Sequence, residues 1–172
     1  MSINTVILKP NFTELLGVGV PFDLELNETV LYKSRTSRQV LNIKPTQAVS
    51  KHTVNITAKD GYLYLTNCRF IFITASQGDI DTFLIHLKLT PYLQFSHELK
   101  SPWFGANYWQ FLFFSVKQPS IASDGFPKEE YFQGTIQFND GGLFDFIKMF
   151  DNTLNNVINN SEIDDQLPRY SA

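Results

Sequence analysis

The residues of this chain best suited to specific chemistry are Leu167-Pro168-Arg169-Tyr170, close to its end. Their chemistry is recognition. Proline presets an extended polyproline conformation, so little chain entropy is lost when the peptide enters an aromatic groove. Tyr170 adds a rigid, amphipathic anchor two residues after Pro168. Leu-Pro-x-Tyr fits the short proline-tyrosine peptides that WW domains bind. The stretch from Asn155 to Asp165 is rich in Asn and Asp, which predicts a flexible tail over 159–172 that displays the motif. An ordinary terminus is the simpler alternative, because four residues make a short pattern.

Catalysis finds no comparable set of residues. His52, His86 and His97 are dispersed, with no pair at metal-ligand spacing. Cys68 has no helix start or base beside it in sequence, and no Gly-x-Ser-x-Gly elbow occurs. Gly17-x-Gly19 runs into Val20-Pro21 and so does not open a dinucleotide-binding helix. Glu129-Glu130 fall in a stretch punctuated by Pro119, Gly125 and Pro127, where a solvated pair is expected. The chain reads as non-enzymatic, with no cofactor and no metal.

A second candidate set is basic. Between Thr29 and Lys59 there is no acid, only Lys33, Arg35, Arg38, Lys44, Lys51 and Lys59, while the net charge is -3. Such a segment can meet phosphates or an anionic membrane, with Lys33, Arg35, Arg38, Lys44 and Lys51 as the lipid-binding candidates. A solvated loop explains the same residues equally well.

At 172 residues and 43% hydrophobic content, the composition suits one ordinary domain with short extensions. Its 16 Phe and 7 Tyr lean towards strands. No stretch approaches the length of a membrane-spanning helix, and the first residues lack the layout of a secretory signal. Cytoplasm and nucleus are the expected compartments, with Cys68 a buried, inert thiol.

Residues 1–27 read as an irregular arm broken by Pro10, Gly17, Gly19 and Pro21. Strands are expected over 30–38, 53–58, 62–65, 69–74, 82–89, 92–97, 107–117 and 131–138, with Asp60-Gly61 as a hairpin turn and 118–130 as an exposed loop. After Gly141-Gly142 the period changes. Leu143, Phe146, Ile147, Phe150, Leu154, Val157 and Ile158 recur at three- and four-residue steps, which predicts an amphipathic helix of about four turns. Phe144, Phe146, Ile147, Phe150 and Leu154 fall on or beside its buried side. Seven to eight antiparallel strands closed by one C-terminal helix describe a pleckstrin-homology-like barrel over 28–158.

The run Gly61-Tyr62-Leu63-Tyr64-Leu65-Thr66-Asn67-Cys68-Arg69-Phe70-Ile71-Phe72-Ile73 resembles the signature hairpin of GRAM domains, a subgroup of that fold. Pro102-Trp103-Phe104-Gly105-Ala106-Asn107-Tyr108 is similar to the Pro-x-Phe-Gly-Ala-Asn-Tyr run of the WW-domain-binding protein 2 family. The likeness covers about 28–158. It implies an adaptor or transcriptional coregulator whose proline-tyrosine motif, here Leu167, Pro168 and Tyr170, binds WW-domain proteins such as HECT-type ubiquitin ligases. Transcription regulators and chromatin are further implied partners; phosphoinositides are partners that the pleckstrin-like fold allows but the resemblance does not require, and direct nucleic-acid binding is not expected. The chain departs from the family in having Leu167 for the first proline and in lacking the Pro- and Gly-rich tail, so the avidity of repeated motifs is lost. Trp103, Phe104, Tyr108 and Trp109 are expected to pack a corner of the barrel, with a ligand or peptide groove as the alternative. A scaffold that binds a partner through a sheet edge is a third reading of the whole chain.

Overall fold

The computed structural model describes residues 6–47 and 54–166, with Ser120 and residues 161–166 as backbone only. Nine strands form two antiparallel sheets. β1 (Val30–Lys33), β4 (Gly61–Thr66), β5 (Arg69–Thr74) and β6 (Thr82–His86) make a four-stranded sheet in the order β1-β4-β5-β6. β2 (Gln39–Pro45), β3 (Ile56–Ala58), β7 (Ser96–Lys100), β8 (Tyr108–Phe114) and β9 (Tyr131–Phe138) make a five-stranded sheet in the order β3-β2-β9-β8-β7. A short helix α1 (Phe12–Leu15) interrupts the N-terminal arm, and a long helix α2 (Leu143–Gln166) follows β9. The two sheets form a sandwich that does not close into a barrel.

The chain changes sheet twice at one corner. β1 leaves the four-stranded sheet at Ser34, and β2 joins the other at Gln39. β3 and β4 make the return passage alongside it, so Asp60-Gly61 is a corner between sheets and not the expected hairpin turn. The two crossings are tied together. The Gly61 N–H donates to the Ser37 carbonyl at 2.8 Å, and Gln39 Nε2 donates to the Gly61 carbonyl at 2.9 Å. A Cβ at Gly61 would stand 2.2 Å from the Phe72 ring and 2.8 Å from the Ile73 carbonyl oxygen. Only glycine lets the strands approach this closely.

β4 and β5 carry apolar residues without alternation because both faces of their sheet are covered. The inner face packs Leu63, Leu65, Phe70 and Phe72 into the main core. The outer face packs Tyr64, Ile71, Ile73 and Leu84 against Val6 and Phe22 of the arm. The Lys9 N–H bonds the Pro21 carbonyl at 2.8 Å and folds the arm on itself, and the Gly17 N–H pins it to the sheet through the Tyr64 hydroxyl at 3.2 Å. Irregular as expected, it is nevertheless part of the domain from Val6 onward.

The main core is aromatic. Phe70 meets Trp109, Phe146 and Phe150 with centroids at 5.4, 5.8 and 6.1 Å. Phe146 and Phe150 are fully buried, whereas Phe144 is 62% exposed and leaves the set of buried helix residues. The loop 118–130, expected to be exposed, sends Phe126 back into the core against Phe113 and Phe132, 5.0 Å from each. Residues 92–95 form a turn in place of a strand, and the pairing strand lies at Ser96–Lys100. α2 runs 24 residues to Gln166, so 159–166, assigned to the flexible tail from sequence, is helical backbone. Cys68 is half-buried, not buried.

Truncation of the helix anchor Phe150→Ala is expected to destabilise the fold by about 3–5 kcal/mol, as aromatic core deletions do. Chemical denaturation measures this, and a change under about 0.5 kcal/mol would show that α2 does not hold the sandwich closed.

Candidate functional sites

Leu65-Thr66-Asn67-Cys68-Arg69 turns β4 into β5 and forms a buried polar knot. Arg69 donates through Nε and Nη2 to the two Glu28 oxygens at 2.8 and 2.7 Å, and through Nη2 to the Asp23 carbonyl at 3.1 Å. Thr66 Oγ1 donates to Glu28 at 2.6 Å and accepts the Cys68 and Arg69 N–H groups at 3.0 and 2.8 Å. Burial alone would raise the Glu28 carboxyl, but the hydrogen bonds from Arg69, Thr66 and the Glu25 N–H outweigh it and hold Glu28 below the usual carboxylate range. Arg69 also lies 5.1 Å from the Phe22 ring centroid. The Thr and Arg of this signature therefore join the arm to the sheet. Arg69 Nε and Nη2 and the Thr66 hydroxyl are all engaged internally, which gives the knot a structural role.

The basic residues do not form one face. Lys33 and Arg35 line a cavity of about 250 Å³ together with Tyr32, Thr36, Asp140, Gly142 and Asp145 at the head of α2. Arg38 is paired with Asp140 at 3.1 Å, and Asp140 also accepts from the Thr36 hydroxyl at 2.7 Å. Lys44 stands apart, on the outer face of the five-stranded sheet, in a polar depression with Asn42, Asn55, Tyr108, Gln133, Thr135 and Gln137. Lys51 lies outside the described residues, as do His52 and the whole Leu167, Pro168 and Tyr170 set. The acids Asp140 and Asp145 are what sequence reading missed at this cavity. They are far from the acid-free segment in sequence and are brought to it by the β9–α2 turn.

The Pro102 to Tyr108 run divides. Trp109, next to it, is fully buried and Tyr108 is half-buried, but Trp103 and Phe104 are 92% and 85% exposed. The corner-packing expectation is thus wrong for these two. Gly105 follows at φ 97°, a backbone turn that L side chains resist.

His97 is the most enclosed of the described histidines. Trp109 Nε1 donates to its Nδ1 at 3.1 Å, its Nε2 faces Asp151 of α2 at 3.5 Å, and Phe150 stacks edge-on at 4.8 Å. Burial lowers its pKa, with Asp151 opposing; burial likewise lowers that of His86. The Cys68 thiol is pushed up by burial and then by Glu28 and Glu25, which favours the unreactive form. Among the described residues, no three or more His, Cys, Asp or Glu side chains gather as a metal site.

No protein-family model and no curated protein matches the chain. Solved structures do. One is the Vps36 N-terminal PH domain, at a TM-score of 0.54 and 14% identity, covering 92% of this chain and 96% of that one. The fold is pleckstrin-homology-like. At this identity the likeness speaks for architecture alone. The narrower GRAM and WW-domain-binding protein 2 resemblance continues to rest on its motifs.

The histidine environment generates a pH dependence. A His whose folded pKa is depressed takes up its proton more readily once unfolded, so stability is full above the ordinary His value of about 6.5 and falls as pH drops below it. Urea melts over that range are expected to lose stability on acidification. His97→Gln should remove part of the slope and His86→Gln a further part; an unchanged slope in both would contradict the burial argument.

Proposed function

We propose that this protein is a non-enzymatic interaction module, a pleckstrin-homology-like domain that presents Leu167-Pro168-Arg169-Tyr170 to WW domains as an adaptor or coregulator. The observation that carries the reading is the course of α2. Among the residues whose side chains are described, its last core contacts are Leu154, Val157 and Ile158, and its backbone continues to Gln166. The eight residues after Ile158 carry the chain about 12 Å further towards the first motif residue. HECT-type ubiquitin ligases and transcription regulators are the partner classes that the family resemblance suggests, with cytoplasm and nucleus as the compartments.

The full chain should bind WW domains of HECT-type ligases with roughly micromolar or weaker affinity, since a short segment is ordered on docking. Calorimetric titration against a panel of WW domains tests this. Tyr170→Ala and Pro168→Ala should abolish binding, and Leu167→Pro should strengthen it by stiffening the free peptide. A panel in which no domain distinguishes wild type from Tyr170→Ala would remove the reading.

A phosphoinositide or anionic-membrane role is the second reading, and one observation favours it: Lys33 and Arg35 share the cavity at the head of α2. Arg38, already paired with Asp140, and Lys44, on another face, contribute less. Joint replacement of Lys33 and Arg35 by Ala should then weaken binding to anionic vesicles, and added salt should do the same. Lys44→Ala should have little effect. Equal binding of the double variant and wild type would exclude the cavity as a headgroup site.

A further inference from the structure

The loop 101–107 between β7 and β8 begins and ends at the paired residues Lys100 and Tyr108. Between them stand Trp103 and Phe104, nearly free of protein contact. A Cβ built on Gly105 meets nothing within 4 Å, so the tip stands clear of the sandwich. A third large ring shares this end. Phe144 lies seven residues before Asp151, whose carboxylate faces His97 of β7, and residues seven apart share one flank of a helix. Phe144, 62% exposed, is therefore on the flank of α2 turned towards the β7–β8 hairpin.

Among the described residues nothing covers Trp103 and Phe104, which stay 92% and 85% exposed.

We infer that Trp103 and Phe104, flanked by Phe144, form a wedge that enters the interfacial layer of a lipid bilayer. The tip is a projection and not a groove. It offers a protein partner little preformed area, whereas a bilayer interface accepts apolar rings without a complementary pocket. Tryptophan is the residue most at home at that boundary, with an apolar body and a polar N–H. Lys148, one turn after Phe144, carries a long stem that lets its ammonium group reach lipid phosphates, while Lys100 at the base of the loop is paired with Glu98 at 2.8 Å. Both acids and bases surround the tip, so insertion depends on the rings more than on net charge.

The two tryptophans make the test direct. Trp109 is fully buried, so a change in emission on adding vesicles reports Trp103. The full chain mixed with neutral phosphatidylcholine vesicles should show a blue shift and quenching by bromine-labelled acyl chains, little altered by salt. Trp103→Ala and Phe104→Ala should each weaken vesicle partition by about tenfold or more, the factor expected for one aromatic side chain leaving water. Both positions are exposed, and unchanged circular dichroism and Trp109 emission would confirm folding. Tyr170→Ala and the Lys33/Arg35 double variant should leave neutral-vesicle binding intact, which separates the wedge from the tail and from the basic cavity. Absence of blue shift and quenching, or equal partition by Trp103→Ala and wild type, would overturn the inference. So would Trp103-dependent self-association in sedimentation velocity without vesicle binding, because the rings would then belong to a contact between copies.

Discussion

Phe146 and Phe150 enter the sandwich at its open side, each 5.0 Å from the Trp109 ring, with Phe70 behind them. Two sheets of four and five strands that do not close on themselves leave apolar side chains facing water at that opening. A single amphipathic helix answers this by burying one stripe against both sheets. Trp109 is the pivot. Its faces and edges meet Phe70, Phe111, Phe146 and Phe150, while its N–H is satisfied by His97, which in turn faces Asp151 of the helix. Ring packing supplies most of the attraction here, and the one polar chain fixes how the helix sits along the groove.

The opposite side of the four-stranded sheet obeys the same logic with a different covering. β5 is apolar on both faces, and the arm from Val6 to Phe22 hides the outer one. An arm whose regular structure is one short helix needs fixed points, and Glu28 and Arg69 provide the strongest. Both charges are desolvated, so removing one would leave the other buried and unpaired. That constraint explains the Thr-x-x-Arg spacing locally, without any appeal to a ligand.

The sequence was legible where periodicity and covering agree. The helix from Leu143 shows its stripe because one side alone is buried, and β5 and β9 fall where the apolar runs predict. β2 was missed although Leu41 and Ile43 point inward and Asn42 and Lys44 outward. Its short alternation follows directly on β1, and the change of sheet between them leaves no distinct local mark. Asp60-Gly61 has the chemistry of a hairpin turn, and only the long-range approach of Phe72 shows that it is a corner. Trp103 and Phe104 were misassigned because hydrophobicity states what a residue favours, not whether the fold has room for it. The polar end of α2 was read as tail because Asn and Asp are poor helix formers, yet the helix continues to Gln166. Of the candidate sites, the basic set could be listed by sequence but not grouped, since Asp140 and Lys44 are sorted by topology alone.

In this account the sandwich is a stable holder and recognition belongs to what projects from it. Amide chemical-shift mapping of the labelled full chain, with and without an unlabelled WW domain, tests that division most directly. Perturbations should concentrate on Leu167, Arg169, Tyr170 and their immediate neighbours, with the amides of β4, β5, β8 and the Phe146–Phe150 turn unmoved. Shifts centred on the sandwich, or none anywhere in the chain at saturating WW domain, would contradict it.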